Sequence, residues 1–334
     1  MTGVAPANPA PRWRRLWRVA VALALLGAIL AWVQPDRVLS ILAQADPGWV
    51  LAGLLSSLLG NVASAWRWRD LAAWLGHPAP LSWIVPVYFR GVAANVVLPG
   101  AVVGGDMLRA WGLHRRGMPV LEAGVSVVLD RVSGLWGLVI LGSLALGAGL
   151  WWAPATGWPA VVQRLGAVSA GWLALLAVGA AVGMAVLPYA ALRVTPRWLA
   201  GWALLRRPAL RWWHRLASHQ PGWHCARQMA GSLVVQTASV TALYCGARAI
   251  GAPLPWEALA VAAVPIFVLA TVPVGFGGWG TREAAAIAAL APLGYDASSA
   301  VAVSVLYGLY PLAHSALALW PVPQVGQAPA HRGD

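Results

Sequence analysis

Twice in this chain a membrane-length apolar stretch runs into proline and glycine and then into charge. The first copy reads Pro99-Gly100-Ala101-Val102-Val103-Gly104-Gly105-Asp106-Met107-Leu108-Arg109. The second reads Pro273-Val274-Gly275-Phe276-Gly277-Gly278-Trp279-Gly280-Thr281-Arg282-Glu283, and both contain Gly-Gly-x-x-x-Arg. In hydrocarbon every backbone polar group must find a partner inside the protein. A helix break is therefore tolerated only where protein or a watery cavity surrounds it. Matched breaks in the two halves of a membrane chain point to a transporter's binding site.

The sequence around the breaks sets the class. Of 334 residues, 60% are hydrophobic and 10% charged, and the mean hydropathy is +0.68. A soluble domain carries about 25% charged residues, so we read an all-α polytopic membrane protein with no room for a substantial soluble domain. The net charge of +13 raises nucleic acid as a partner, but the arginines sit at the ends of apolar segments. That placement fits membrane topology and anionic lipid, and we expect no nucleic acid. Tryptophans near the segment ends (Trp13, Trp17, Trp32, Trp49, Trp66, Trp68, Trp151, Trp152, Trp212, Trp213) read as an interfacial belt. Cys225 and Cys245 fall on one expected helix ~30 Å apart, too far for a disulfide. There is no Cys/His metal spacing and no cofactor motif, so neither is expected.

Six segments read as full spans: 16–33, 48–66, 120–150, 167–189, 227–250 and 297–320. Arg12, Arg14, Arg15 and Arg18 before the first run suggest a signal peptide, with Ala43-Gln44-Ala45 as the cleavage site. That site lies too far beyond Val33, so we read a retained span. Two further apolar stretches, 81–111 and 256–293, are the broken ones. If both turn back, the N-terminus, Arg67, Arg69, Arg109, Arg115, Arg116 and the 190–226 loop share one side. Arg37, Arg164 and Arg248 then occupy the other. If 81–98 crossed alone, the six-arginine loop would lie outside, against the positive-inside bias. We therefore expect two re-entrant helical hairpins rather than eight full spans, in an inverted-repeat arrangement of about 48–150 and 227–320. The transmembrane domain covers 12–321, between a cytoplasmic tail of 1–11 and a C-terminal tail of 322–334. The 190–226 loop reads either as a topology-setting cytoplasmic loop or as an interfacial helix holding lipid headgroups.

The charges beside the breaks are the candidate substrate-binding residues: Asn95, Asp106, Arg109, Asp130, Arg131, Arg282 and Glu283. Asp106 and Arg109 share a helix face at i,i+3 spacing. Asp130 and Arg131 lie within an apolar segment, where charge is costly and faces a bundle interior or cavity. As neighbours on a helix they diverge by ~100° and reach different partners. The helix-breaking residues Pro99, Gly100, Gly104, Gly105, Pro273, Gly275, Gly277, Gly278 and Gly280 allow close backbone approach. They also present helix N-termini to an anion, and arginine offers a bidentate fork for phosphate. The bland alternative is an ion-pair network that holds the hairpins in place. His314, in the last helix, reads as a packed core histidine rather than a proton relay. No hydrolytic motif occurs.

The chain resembles the lysylphosphatidylglycerol synthetase transmembrane region family, also called flippase-like or UPF0104 proteins. The resemblance rests on four stretches, whose order and spacing agree over roughly 12–320. They are Ala65-Trp66-Arg67-Trp68, Asn95 to Gly100 with Gly104-Gly105-Asp106 and Arg109, Asp130-Arg131-Val132-Ser133-Gly134-Leu135, and Pro273 to Ala284. One departure is that many relatives carry an arginine in the final helix where this chain has Leu306-Tyr307-Gly308. The resemblance implies a bacterial inner-membrane protein, and the arginine distribution puts both termini on the cytoplasmic side. It also implies kinship with the flippase half of aminoacyl-phosphatidylglycerol synthases, without the soluble aminoacyltransferase, and so no enzyme activity. The expected substrate is a membrane lipid with an anionic headgroup. The competing readings are a small-solute or ion-coupled transporter, a non-catalytic membrane partner of a lipid-synthesising enzyme and an integral-membrane lipid enzyme. A lateral opening to the bilayer would favour the lipid reading.

Overall fold

The computed structural model describes residues 35–97, 103–156, 166–199, 211–218, 220–272 and 278–322. All the regular structure among them is helical: α1 Pro35–Ala43, α2 Pro47–Trp74, α3 Leu81–Val97, α4 Val103–Arg115, α5 Val120–Thr156, α6 Gly166–Leu199, α7 Arg211–Ser218, α8 Pro221–Ala249, α9 Trp256–Ala270, α10 Thr281–Leu290 and α11 Ala297–His314, with short 3-10 turns after the last two. Four of these segments are long and apolar enough to cross a membrane: Pro47–Trp74, Val120–Trp152, Ala170–Val194 and Ala297–Leu319. The chain is a polytopic all-α membrane protein. The expected span at 16–33 and both terminal tails from 1–11 and 323–334 lie outside the described residues, as do Pro99, Gly100, Pro273, Gly275 and Gly277.

α8 is 29 residues long but carries Gln228, Ser232 and Gln236. It tolerates them because it packs against other helices rather than lipid. Asp46 starts the neighbouring α2, accepting hydrogen bonds from the Gly48 and Trp49 N–H groups at 2.7 and 3.1 Å. Pro47 follows at the first turn, where no N–H is needed. The Asp46 N–H donates to the Ala249 carbonyl at 2.8 Å, which ties the start of α2 to the end of α8. Ser56 donates to the Ala238 carbonyl at 2.8 Å, while Arg67 meets Ser232, so the two helices run antiparallel.

Two expectations need correcting here. The second span does not end at 66 but continues to Trp74, because Trp68, Leu71 and Ala72 pack into an apolar core with Ile84 and Leu113. Trp68 is accordingly fully buried and is no interfacial anchor. The 190–226 loop is largely helical: α6 runs to Leu199, α7 follows from Arg211, and α8 begins at Pro221.

Each break separates an antiparallel pair of helices. The limbs of the first pair, α3 and α4, have 17 and 13 residues, and those of the second, α9 and α10, have 15 and 10. At ~1.5 Å per residue, limbs of 13 and 10 residues fall short of the ~30 Å hydrocarbon core. The first hairpin closes where Gly91 meets Gly105. A Cβ on Gly105 would strike the Gly91 carbonyl and the Asn95 amide, so only glycine permits this approach. The second hairpin turns through Gly278 and Gly280, at φ +82° and +88°, a region closed to most L-residues.

Candidate functional site

Three helices bring charge to one place, and a fourth adds a hydroxyl. Arg67 comes from α2, Arg109 from α4, Asp130 and Arg131 from α5, and Ser232 comes from α8. Each lies 6 to 11 residues from the helix end on the side that carries Arg115, Arg116 and Arg215. Asp130 is the hub. Its Oδ1 accepts from Arg67 Nε and Nη2 at 3.1 and 2.9 Å, and its Oδ2 accepts from Arg109 Nη2 at 2.5 Å. Arg67 Nη1 also donates to Ser232 Oγ at 2.9 Å. Arg131 points the other way, gripping Asp106 through Nε and Nη2 at 3.0 and 2.9 Å. The side chains of Arg109 and Asp130 are each 2% exposed, whereas Asp106 and Arg131 are 20% and 36% exposed. The cluster thus has a buried floor and an accessible edge.

Three guanidinium groups face two carboxylates, which leaves one positive charge in excess. Arg109 lies between the faces of Trp68 and Tyr88, 4.6 and 4.8 Å from the ring centroids. Its Nε is buried without a hydrogen-bond partner. Ring faces stabilise a cation without neutralising it, so the excess charge persists.

The expected i,i+3 pair of Asp106 and Arg109 is secondary, at 3.6 Å. Each carboxylate instead takes its stronger bonds across helices, from α4 to α5. Asn95 belongs to the hairpin rather than to the cluster, because its Oδ1 accepts from the Gly105 N–H at 2.8 Å. Gly104 opens α4 beside it.

Arg282 and Glu283 form a separate group. Arg282 donates from Nε and Nη2 to Glu283 Oε1 at 3.1 and 2.8 Å, and its Nε also reaches Ser304 Oγ at 3.1 Å. Ser304 donates onward to Glu283 Oε1 at 2.9 Å, and the Gly280 N–H donates to Glu283 Oε2 at 2.6 Å. The guanidinium lies over Trp279, 4.6 Å from the centroid. One cation meets one carboxylate, so this group is neutral, and it shares no hydrogen-bond partner with the first among the described residues.

The family described as lysylphosphatidylglycerol synthase TM region matches residues 15–318, nearly the whole chain. The chain belongs to that family. It is also similar to glycosyltransferase AglD of Haloferax volcanii, at 28% identity over 39% of this chain. A UPF0104 membrane protein of Methanocaldococcus jannaschii is 27% identical over 31% of this chain. The matches span 23% and 32% of those relatives' own lengths.

The stretch Leu306-Tyr307-Gly308 has a structural role of its own. A Cβ on residue 308 would collide with the Arg282 guanidinium, so Gly308 makes the room that Arg282 occupies. Arg67 is the functional candidate that sequence reasoning missed. It read as a topology charge just past an apolar run, yet it is 4% exposed and holds Asp130. Its place inside the Ala65-Trp66-Arg67-Trp68 stretch was the available signal. His314 is a packed histidine, 4% exposed, with Asn61 Nδ2 at 3.2 Å from its Nδ1 and the Leu54 carbonyl at 3.3 Å from its Nε2.

Proposed function

We propose that this family member is a lipid transporter of flippase type for an amphiphile with an anionic headgroup, and that it is not an enzyme. In this reading the cluster of Arg67, Arg109 and Arg131 with Asp106 and Asp130 receives the headgroup. The observation that carries it is the cluster's one positive charge in excess, with the Arg109 Nε buried and without a hydrogen-bond partner. A buried charge without its counter-ion is expensive, and an arriving anion would supply one. The accessible Asp106–Arg131 pair forms the approach. The protein would sit in a bacterial inner membrane with both termini cytoplasmic, its halves 48–150 and 227–320 related as inverted repeats.

The test is reconstitution in liposomes with fluorescent lipids. Anionic lipids should change leaflet faster with wild-type protein than with Arg109→Gln, and zwitterionic lipids should show no such difference. Equal rates for the two proteins, or transport of a soluble solute instead, would defeat the reading.

A second reading, as membrane partner of a lipid-modifying enzyme, draws support from the relative named a glycosyltransferase. The match to this chain covers only 23% of that protein, so there the similar region belongs to a larger polypeptide. Co-purification of an enzyme with this chain, together with inactivity in liposomes, would favour it.

A further inference from the structure

Behind the charged cluster lies a second, chemically opposite space. A cavity of about 330 Å³ opens between α2, α5, α6, α7 and α8, and its walls are almost wholly apolar. That volume falls in the ~300–1,000 Å³ range of ligand sites. Leu71, Trp136, Leu192 and Trp213 line it, and Gln228 and Ser232 form a polar floor. The floor is the rear of the cluster, since Ser232 accepts from Arg67 and the Gln228 amide donates to the Arg67 carbonyl at 3.1 Å.

α5 and α6 touch where Gly147 faces Val178, and Trp136 Nε1 bridges them by donating to the Met184 carbonyl at 2.8 Å. Leu129, Val132 and Ser133 of α5 and Leu187 and Ala191 of α6 line the cavity, with Leu216 of α7 at its side. Arg215 anchors α7 through the Leu75 carbonyl and Glu122 at 2.9 and 2.8 Å. Val132 and Leu187 line the cavity and are 48% and 51% exposed, so its mouth lies on the lipid-facing surface between α5 and α6.

The position of the mouth identifies the occupant. An empty apolar cavity destabilises a fold in proportion to its volume, and even a ~150 Å³ cavity takes up apolar ligands. At a mouth facing the bilayer the available apolar ligand is a lipid chain. We propose that the cavity binds one acyl chain of a membrane phospholipid, which enters sideways between α5 and α6. This site is distinct from the arginine cluster.

The experiment places the full-length protein in vesicles of phosphatidylethanolamine and phosphatidylglycerol, with a phosphatidylglycerol that carries a photoactivatable diazirine in one acyl chain. After illumination, label is mapped by peptide mass spectrometry. Label is expected on the inward residues Leu129 and Met229 as well as on the outer face of α6 at Leu175 and Leu176. Ala191→Trp and Ser133→Leu fill the cavity from different helices, so one folded variant suffices. Each should cut the inward label roughly tenfold, equivalent to ~1.4 kcal/mol of binding, and leave the outer label unchanged. Arg109→Gln should leave the inward label intact, so this proposal and the transport reading fail separately. Label confined to the outer face of wild-type protein, or inward label undiminished in a folded filled variant, overturns the proposal.

Discussion

The two hairpins carry the same Gly-Gly-x-x-x-Arg sequence and place its arginine in opposite electrostatic settings. Arg109 reaches off its own helix to Asp130, shares that carboxylate with Arg67, and leaves its Nε unpaired. Arg282 turns onto the very next residue, Glu283, whose other oxygen caps the start of the same helix. What decides between them is the position of the carboxylate in the sequence. In the second hairpin Glu283 directly follows the arginine and sits three residues past Gly280, so one short turn is self-sufficient. In the first the acid precedes the arginine, and Arg131 captures it from α5. The motif therefore fixes where an arginine stands and leaves its neutralisation to the surroundings.

Four substitutions break or sharpen this contrast. The largest effect is expected from Asp130→Asn, which strands two buried guanidinium groups. The cost should reach the upper part of the ~3–5 kcal/mol typical of a broken buried pair, read as lost thermal stability of detergent-purified protein. Arg282→Gln comes next, at about 3 kcal/mol, because Glu283 keeps the Gly280 N–H and the Ser304 hydroxyl. Arg109→Gln is the decisive case. It removes the excess charge and leaves Arg67–Asp130 and Arg131–Asp106 complete, so folding should lose only about 1 kcal/mol. Leaflet exchange of anionic lipid should nevertheless drop by an order of magnitude or more, the loss of about 1.4 kcal/mol or more. If Arg109→Gln destabilises the protein as much as Arg282→Gln does, both arginines are structural and the contrast collapses. The smallest effect is Asn95→Ala, which deprives the Gly105 N–H of its acceptor. About 1 kcal/mol is expected, seen as faster amide hydrogen exchange at the start of α4.

The class, the hairpins and most charged positions were legible because hydrocarbon imposes simple rules on length, charge and breaks. The partners were not legible. The spacing of Asp106 and Arg109 allows a pair on one helix, but the preferred contacts run to α5, and only the packing of α4 against α5 supplies them. Arg67 was misplaced for a related reason. Hydropathy ends the second span at Trp66, whereas the helix continues because Trp68, Leu71 and Trp74 are buried in an apolar core shared with the neighbouring helices. A polar residue facing another helix scores the same as one facing water, and α8 shows this along its length. The crowding of Gly308 against Arg282 leaves no trace in composition, since it depends on the approach of α11 to α10.

The odd number of charges in the first cluster has an electrical consequence. A membrane potential does ~2.3 kcal/mol of work on each elementary charge moved through 100 mV. With three arginines and two aspartates, the cluster carries one such charge. In the proposed reading, a monoanionic headgroup seated there would bring the total to zero. A rearrangement that shifts the cluster through part of the membrane field would then be driven or opposed by the voltage without a headgroup. The same movement with a headgroup bound would be electrically silent.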